Sequence, residues 1–452
     1  DNAAWTALML ACEIGSLECT QRLGEHGADA NARDSDGWTA LMWACKSGSL
    51  ECTQWLAEHG ADVNARDNGD VTALMWACKF GSVECTQRLT EHEADVNARD
   101  SDGWTALMHA CKFGSLGCTQ WLTDHGADMN AKDIYGWTAL MHACKSGSLE
   151  CIWWLTDHGA EVNARNSDGW TALMQACISG SFGCTQLLIE QGANVDSRIN
   201  GCSALMHACK SGSLECTQWL TDHVADMNAR DSDGWTALMH ACSSGSPECT
   251  QWLTDHGADV NTGDNAACSS LMHACKSGSL ECTQWLTDHG ADINAKDSDG
   301  WTALMHACSS GSLECTQWLT DHGADMNARD SDGCTASMLA CKSGSLECTQ
   351  WLTEHGADIN ARDNAAWTAL MLACEAGSLE CTQWLGEHGA DVNARDSEGW
   401  TTLMWACKSG SLECTQWLTE HGADVNAGDS TGLTALMYAC SSGSLECTQW
   451  LT

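Results

Sequence analysis

Cysteine and histidine recur at a fixed spacing that could bind a metal ion or supply a nucleophile. The pattern is Cys-x6-Cys-x6-His, as at Cys45, Cys52 and His59, and it repeats along the chain. Zinc sites usually have four ligands that include a close Cys pair, and a thiol in apolar surroundings has a raised pKa and poor access. We therefore expect small buried cysteines and a loop histidine, with no catalytic residue, no metal site and no cofactor.

Two further rows of residues can contact other molecules. Half-exposed indoles are typical of binding hot spots, although each ring can equally be structural cover over its neighbour. Imidazoles can become cationic near pH 6 and change partner choice, although ordinary solvated histidines fit the same pattern. The first row precedes a helix-opening Thr and comprises Trp5, Trp38, Trp104, Trp137, Trp170, Trp235, Trp301, Trp367 and Trp400. The second row lies five residues further on and comprises Trp43, Trp76, Trp405, His109, His142, His207, His240, His273 and His306.

These residues belong to a 33-residue unit, seen clearly at 297–329, that accounts for the whole chain. A unit this short cannot bury its own apolar face, so neighbouring copies must cover one another. We therefore expect a single array over residues 1–452, with the last unit incomplete. The units begin at Asp1, Asp34, Asp67, Asp100, Asp133, Asn166, Arg198, Asp231, Asp264, Asp297, Asp330, Asp363, Asp396 and Asp429.

One unit contains the signals of two short helices. Leu304, Ala307 and Cys308 have helical spacing after Thr302, and this first helix ends near Gly311. Ser312 can cap a second helix whose buried face is predicted to hold Cys315, Trp318, Leu319 and His322. Gly323 suits the positive φ that ends such a helix. The Asn, Asp and Gly that follow predict a turn or hairpin, which we call the finger.

The unit resembles the ankyrin repeat, and the resemblance covers essentially all 452 residues. It implies an all-α ankyrin-repeat solenoid of helix-turn-helix units with β-hairpin or finger loops. It also implies that both aromatic rows face a concave groove that contacts partner proteins. Thr39-Ala40-Leu41-Met42 replaces the family's Thr-Pro-Leu-His, which removes the usual hydroxyl-to-imidazole contact at the start of the first helix.

The second helix departs from the family by exchanging volume between two positions. Cys52 is smaller than the expected Ile, and Trp55 is larger than the expected Leu, so core volume is roughly kept. Three repeats lack this Trp, and we expect weaker packing there. A shortened turn follows the third of them, so we place an irregular point or hinge at 187–202. The three replacements are Arg22, Arg88 and Leu187.

The charge restricts the kind of partner, and the cysteine content restricts the compartment. The formal net charge of −40 repels phosphate backbones and anionic lipid surfaces, and no apolar run approaches the roughly 20 residues of a membrane span. A partner with a basic or extended segment is favoured, although acidity that only maintains solubility explains the charge too. All 31 cysteines except Cys202, Cys268 and Cys334 fall at two fixed positions of the repeat, which indicates a reduced protein of the cytoplasm or nucleus.

The fingers carry one prediction that rests on the resemblance alone. Ankyrin repeats with Leu eight residues before the finger Asn look like substrates of the cytosolic asparaginyl hydroxylase. The resemblance thus implies modification at Asn64, Asn97, Asn130 and Asn294.

Together these features predict a non-catalytic scaffold that binds proteins on an acidic groove lined by Trp and His. The chain begins without Met and stops within a helix pattern, so we expect a monomeric array within a longer chain. Two alternatives stay open. The array can be a substrate-recruiting or targeting arm for a catalytic domain outside these residues, or a thiol-rich metal or redox buffer.

Overall fold

The structure, a computed structural model, describes residues 5–452. The chain forms two compact units, Asp1–Asp226 and Met227–Thr452. Both consist of short antiparallel-type helix pairs separated by fingers, as the sequence predicts. The predicted start of the first repeat, Asp1, lies outside the described residues.

The first unit contains fourteen helices and one two-stranded hairpin within its described residues. The helices are α1 (Ala7–Ile14), α2 (Leu17–Glu25), α3 (Ala40–Ser47), α4 (Leu50–Glu58), α5 (Ala73–Lys79), α6 (Val83–Glu91), α7 (Ala106–Lys112), α8 (Leu116–Asp124), α9 (Ala139–Ser146), α10 (Leu149–Asp157), α11 (Ala172–Ile178), α12 (Phe182–Glu190), α13 (Ala204–Lys210) and α14 (Leu214–Asp222). The hairpin pairs β1 (Arg198–Ile199) with β2 (Cys202–Ser203) and lies in the shortened finger.

The second unit continues the same alternation of first and second helices. Its helices are α15 (Ala237–Ser243), α16 (Pro247–Asp255), α17 (Ser270–Ser277), α18 (Leu280–Asp288), α19 (Ala303–Ser310), α20 (Leu313–Asp321), α21 (Ala336–Ser343), α22 (Leu346–Glu354), α23 (Ala369–Ala376), α24 (Leu379–Glu387), α25 (Thr402–Ser409), α26 (Leu412–Glu420), α27 (Ala435–Ser442) and α28 (Leu445–Leu451).

In most repeats the first helix is capped by a threonine or serine that also contacts a methionine three residues later. In α19 the Thr302 hydroxyl accepts from the Met305 N–H at 3.4 Å, and the Met305 sulfur accepts from the Thr302 N–H at 3.4 Å. The sulfur takes the part that a carboxylate or amide plays in an ordinary capping box. Methionine therefore supplies the contact at the helix start that the loss of Thr-Pro-Leu-His removes.

The second helix buries a threonine that the sequence analysis overlooked. In α20, Cys315, Thr316 and Leu319 are fully buried, and the Thr316 hydroxyl donates to the Ser312 carbonyl at 2.8 Å. His322, predicted on the buried face, is exposed instead. Its Nδ1 donates to the Trp318 carbonyl at 2.7 Å, and its ring stacks on that indole. The prediction for His322 was wrong because the residue lies past the last turn, where its ring folds back outside the helix.

Threonine hydroxyls link the thiols of successive repeats. Cys45 Sγ lies 3.9 Å from Thr53 Oγ1, and the same hydroxyl lies 3.5 Å from Cys85 Sγ in the next repeat. All 31 cysteines are among the described residues and are free thiols, most of them buried. Burial raises the pKa of the Cys45 thiol well above its ordinary value. Cys52 is buried whereas His59 is exposed, so the Cys-x6-Cys-x6-His pattern does not converge on one point.

The tryptophan of the second helix contacts the residue 31 positions earlier, and its environment depends on that residue. Trp121 Nε1 donates to Thr90 Oγ1 at 2.7 Å. Where the earlier residue is Gly386, Trp417 covers the glycine so closely that an added Cβ would lie 1.9 Å from the ring. Trp417 is only 7% exposed, whereas Trp55, which covers Gly24 as closely, is partly buried. The residue 31 positions earlier therefore sets which group the indole contacts.

The repeat that contains Leu187 disturbs this contact. Its residue at the threonine position is Ile189, which has no hydroxyl. The buried indole nitrogen of Trp219 in the following repeat meets no acceptor within the described part of the chain. An unpaired buried donor costs about 1–3 kcal/mol, so the packing between these two repeats is weaker than elsewhere. The predicted hinge at 187–202 stays a prediction.

Candidate partner-binding surface

An aspartate at the start of most fingers fixes the backbone of the tryptophan row. Asp133 Oδ1 accepts from the N–H groups of Tyr135 and Trp137 at 2.9 and 2.8 Å. The Asp133 N–H in turn donates to the Trp137 carbonyl at 3.0 Å. This closed turn is local, because Asp side chains readily bond backbone N–H groups two to four residues later. It places each indole at the base of its finger in a fixed orientation.

The second oxygen of the same aspartate binds the helix-one residue nine positions later. His142 Nε2 donates to Asp133 Oδ2 at 3.1 Å, and the aspartate side chain is only 2% exposed. Tryptophan and tyrosine make the equivalent bond where they replace histidine. Equivalent pairs are Asp34–Trp43, Asp67–Trp76, Asp100–His109, Asp231–His240, Asp264–His273, Asp297–His306, Asp396–Trp405 and Asp429–Tyr438.

These bonds correct the expectation of ordinary solvated histidines. His109, His142, His207 and His273 are buried, and the other members, His240 and His306, are partly buried. Desolvation is the main cause that lowers the pKa of His142 to about 4, and it lowers the pKa of His273 and His306 as well. His142 is therefore neutral near pH 6, and burial disfavours the cationic form of His273 and His306 as well. Burial thus opposes the alternative in which these three imidazoles become cationic.

The two rows are in contact with each other. Trp104 lies 5.1 Å from the ring of His109 in its own repeat and 4.1 Å from His142 in the next. Trp137 lies 5.2 Å from His142. We call Trp104, His109, Trp137 and His142 the aromatic cluster. Because one side of each half-buried indole packs on an imidazole, the ring is structural cover for its neighbour and still has an accessible face.

The remaining tryptophans of the first row have comparable surroundings. They are all partly buried and lie within about 5 Å of a helix-one ring. Their partners are Trp43 for Trp5, Trp43 and Trp76 for Trp38, His207 for Trp170, His240 and His273 for Trp235, His306 for Trp301, Trp405 for Trp367, and Trp405 and Tyr438 for Trp400.

Lysines cover several of the indoles, which the sequence analysis missed. Lys112 Nζ lies 4.5 Å from the centre of the Trp104 ring, and Lys145 Nζ lies 5.1 Å from that of Trp137. Lys408 has the same position over Trp400 at 4.6 Å. Each lysine stands eight residues after its tryptophan, a spacing that could have revealed the contact. The cations make the cluster locally less acidic than the net charge of the chain suggests.

A cavity of about 570 Å³ opens between two adjacent repeats of the first unit. Its walls combine the indoles of Trp104 and Trp137 with Phe113 and Tyr135, whose side chains are largely exposed. Charged groups of both signs stand at its edge. They are Asp102, Lys112, Asp133 and Lys145. The volume and the mostly aromatic walls suit one or two apolar side chains from another molecule.

The finger asparagines predicted as modification sites join successive fingers. Asn97 Oδ1 accepts from the Asp128 N–H at 2.8 Å, and its Nδ2 donates to the Gly126 carbonyl at 3.0 Å. Each of the others accepts the corresponding N–H of the next repeat. The equivalent acceptors are Asn64, Asn130 and Asn294. These side chains therefore have a structural role, and their hydroxylation stays a prediction.

No helix within residues 5–452 combines the length and the apolar character needed to cross a bilayer.

A family model described as ankyrin repeats (3 copies) matches the chain in seven overlapping windows. A comparison with curated proteins gave no match. The windows are residues 1–67, 67–133, 130–199, 196–264, 262–330, 328–396 and 370–452.

Proposed function

The chain belongs to the ankyrin repeat family, whose members are generally protein-protein interaction modules, and from this premise we propose a non-catalytic scaffold that binds a partner at the aromatic cluster. The observation that carries the proposal is the cavity between Trp104 and Trp137. An indole that packs on an imidazole is already ordered and loses little conformational entropy on binding. Ordered aromatic rings of this kind often dominate the binding energy of interfaces.

The proposed partner is a protein with an extended segment that places apolar or aromatic side chains in the cavity. Basic residues on either side of that segment would meet carboxylates such as that of Asp102, which is exposed at the finger tip. The charge of −40 would also steer a basic partner towards the chain. Lys112 and Lys145 stand over the indoles, so the partner's positive charges would lie at the finger tips and not over the rings.

A non-catalytic role is supported by the state of the groups that could react. The thiols at the two fixed positions are almost all buried, and the imidazoles of the aromatic cluster bond to buried carboxylates. Free thiols in this number persist in reducing compartments. We accordingly place the protein inside the cell.

Quantitative pull-down from native lysate tests the proposal with the full chain. The variant Trp104→Leu/Trp137→Leu removes both indoles from the cavity walls. Leucine is tolerated at this position because Leu433 occupies it in the last repeat. The control Trp153→Gln removes an exposed indole and restores the residue that most repeats carry there. We expect partners that the control retains to fall at least about tenfold with the double variant, since two hot-spot residues each contribute about 2 kcal/mol. Equal recovery by all three proteins would reject this surface.

A further inference from the structure

Cys268 occupies the finger-base position that tryptophan holds in most repeats. In the preceding repeat, Trp235 fills that position and its ring lies 4.1 Å from His273 of the next repeat. The corresponding next-repeat residue for Cys268 is His306, 38 positions later. A thiol is much smaller than an indole, so the replacement opens space beside His306 and puts sulfur where the ring would lie.

Three potential metal ligands converge in that space. Cys268 Sγ lies 3.5 Å from Asp297 Oδ2, and His306 Nε2 lies 3.0 Å from the same oxygen. All three ligand atoms lie within 4.8 Å of one another. In a tetrahedral zinc site, ordinary bond lengths put S and O about 3.6 Å apart and N and O about 3.4 Å apart. These two separations need to change by only a few tenths of an ångström.

The surroundings hold the ligands in place. Asp297 Oδ1 accepts from the N–H groups of Asp299 and Trp301 at 3.0 and 2.8 Å, which leaves Oδ2 directed at the site. The side chains of Asp297 and His306 are 6% and 12% exposed. Cys268 is partly exposed, so an ion can enter from solvent. Outer interactions of this kind orient metal ligands and are part of a functioning site.

Nearby charged groups have opposing effects on the pKa of Cys268. Desolvation is the first cause that raises the pKa of Cys268 to about 12, and the carboxylates of Asp264 and Asp297 add to it, whereas Lys276 lowers it. Asp264 is itself bonded to His273 at 3.1 Å. Two carboxylates beside one lysine favour a dication, and the thiol stays protonated until the ion arrives.

We infer that Cys268, Asp297 and His306 bind a zinc-class divalent transition metal ion, with water as the fourth ligand. A set of one thiolate, one imidazole and one carboxylate suits zinc, whereas magnesium and calcium prefer oxygen ligands alone. On binding, the Cys268 thiol releases one proton to solvent. The proton on His306 Nε2 moves to Nδ1, which frees the Nε2 lone pair for the metal.

The chain contains a natural two-ligand counterpart of this site. Cys334 Sγ lies 3.8 Å from Asp363 Oδ2, an arrangement equivalent to that of Cys268 and Asp297. The residue at the histidine position is the buried Leu372. This second arrangement lacks the third ligand and provides a matched control.

Titration of the full chain with Co²⁺ under reducing conditions tests the inference, because a Co–thiolate bond gives a charge-transfer band that exposed histidines cannot produce. Cys268→Ser and His306→Gln should each lose one equivalent of this band per chain relative to wild type. Cys334→Ser should lose none, and zinc should displace the cobalt. Circular dichroism at the same pH verifies that each variant is folded.

A variant that gains a cobalt site tests the inference independently. Leu372→His completes the ligand set around Cys334 and Asp363 and should add one equivalent of the band. Retention of the whole band by Cys268→Ser, or its absence from the wild-type protein, would overturn the inference. Its failure leaves the partner-binding proposal untouched, because Cys268 lies outside the aromatic cluster.

Discussion

The buried imidazole of His142 should make the first unit sensitive to acid by an amount that can be worked out. Burial lowers the pKa of His142 to about 4 in the folded chain, against 6.5 for an unperturbed histidine. Below about pH 6.5 the unfolded chain therefore binds a proton at this histidine, whereas the folded chain does not. The free energy of unfolding is unaffected by His142 above pH 6.5 and decreases as the pH falls towards 4. At pH 4.5 the loss is about 2 to 3 kcal/mol, since each pKa unit corresponds to about 1.4 kcal/mol.

The substitution His142→Gln isolates this effect. Gln175 fills the equivalent position in another repeat and is buried there, so the amide fits and can still donate to Asp133. Carboxylates that do not contact His142 affect both proteins alike. Urea unfolding at pH 7 and pH 4.5 should show that wild type loses about 2 to 3 kcal/mol more than the variant.

Nuclear magnetic resonance provides the direct check on the cause. The imidazole signal that disappears in His142→Gln should titrate below pH 5 in the wild-type protein. Lys112 and Lys145 also lower this pKa, whereas Asp133 raises it. A midpoint at or above pH 6, together with equal acid sensitivity of the two proteins, would show that the Asp133 carboxylate outweighs burial and would refute the reasoning.

Three further substitutions test the packing between repeats. Trp121→Phe removes the bond to Thr90 and should lower the free energy of unfolding by about 1 kcal/mol in urea titration; an unchanged midpoint would show that the bond contributes nothing. Gly386→Ala should destabilise the chain in thermal unfolding because its Cβ displaces the ring of Trp417, and a gain of about 1 kcal/mol, as in an open helix, would contradict this. Asn97→Ala breaks two bonds between fingers and should speed hydrogen exchange of the next finger's amides without affecting distant repeats. Uniform acceleration along the chain would argue against a local role.

The helix pairs could be predicted from sequence because their signals lie within one repeat. Thr302 and Ser312 mark helix starts, Gly311 and Gly323 mark helix ends, and all four act on neighbours within a few positions. Repetition of the pattern supplies the same evidence many times. His322 was misplaced because helical spacing does not reveal where the last turn ends.

The candidate site was harder to predict because its residues depend on contacts between repeats. His142 has the sequence surroundings of an exposed helix residue, yet Asp133 and the ring of Trp104 cover it. The aspartate nine positions before most helix-one donors was a usable signal, and Arg198 before His207 is an exception. Asn166 and Gln175 support it, since the carboxylate and the histidine are replaced together in that repeat.

Contacts between neighbouring copies also explain why near-identical repeats differ in what they can do. Cys268 in place of tryptophan removes the preceding repeat's ring from beside His306 and puts a thiol beside a carboxylate and an imidazole. The same exchange at Cys334 creates only a thiol and a carboxylate, because Leu372 follows in the next repeat. The chemistry of a finger-base position is therefore set by two adjacent repeats, so pairs of residues 29 and 38 positions apart are the ones to compare when function is sought in such an array.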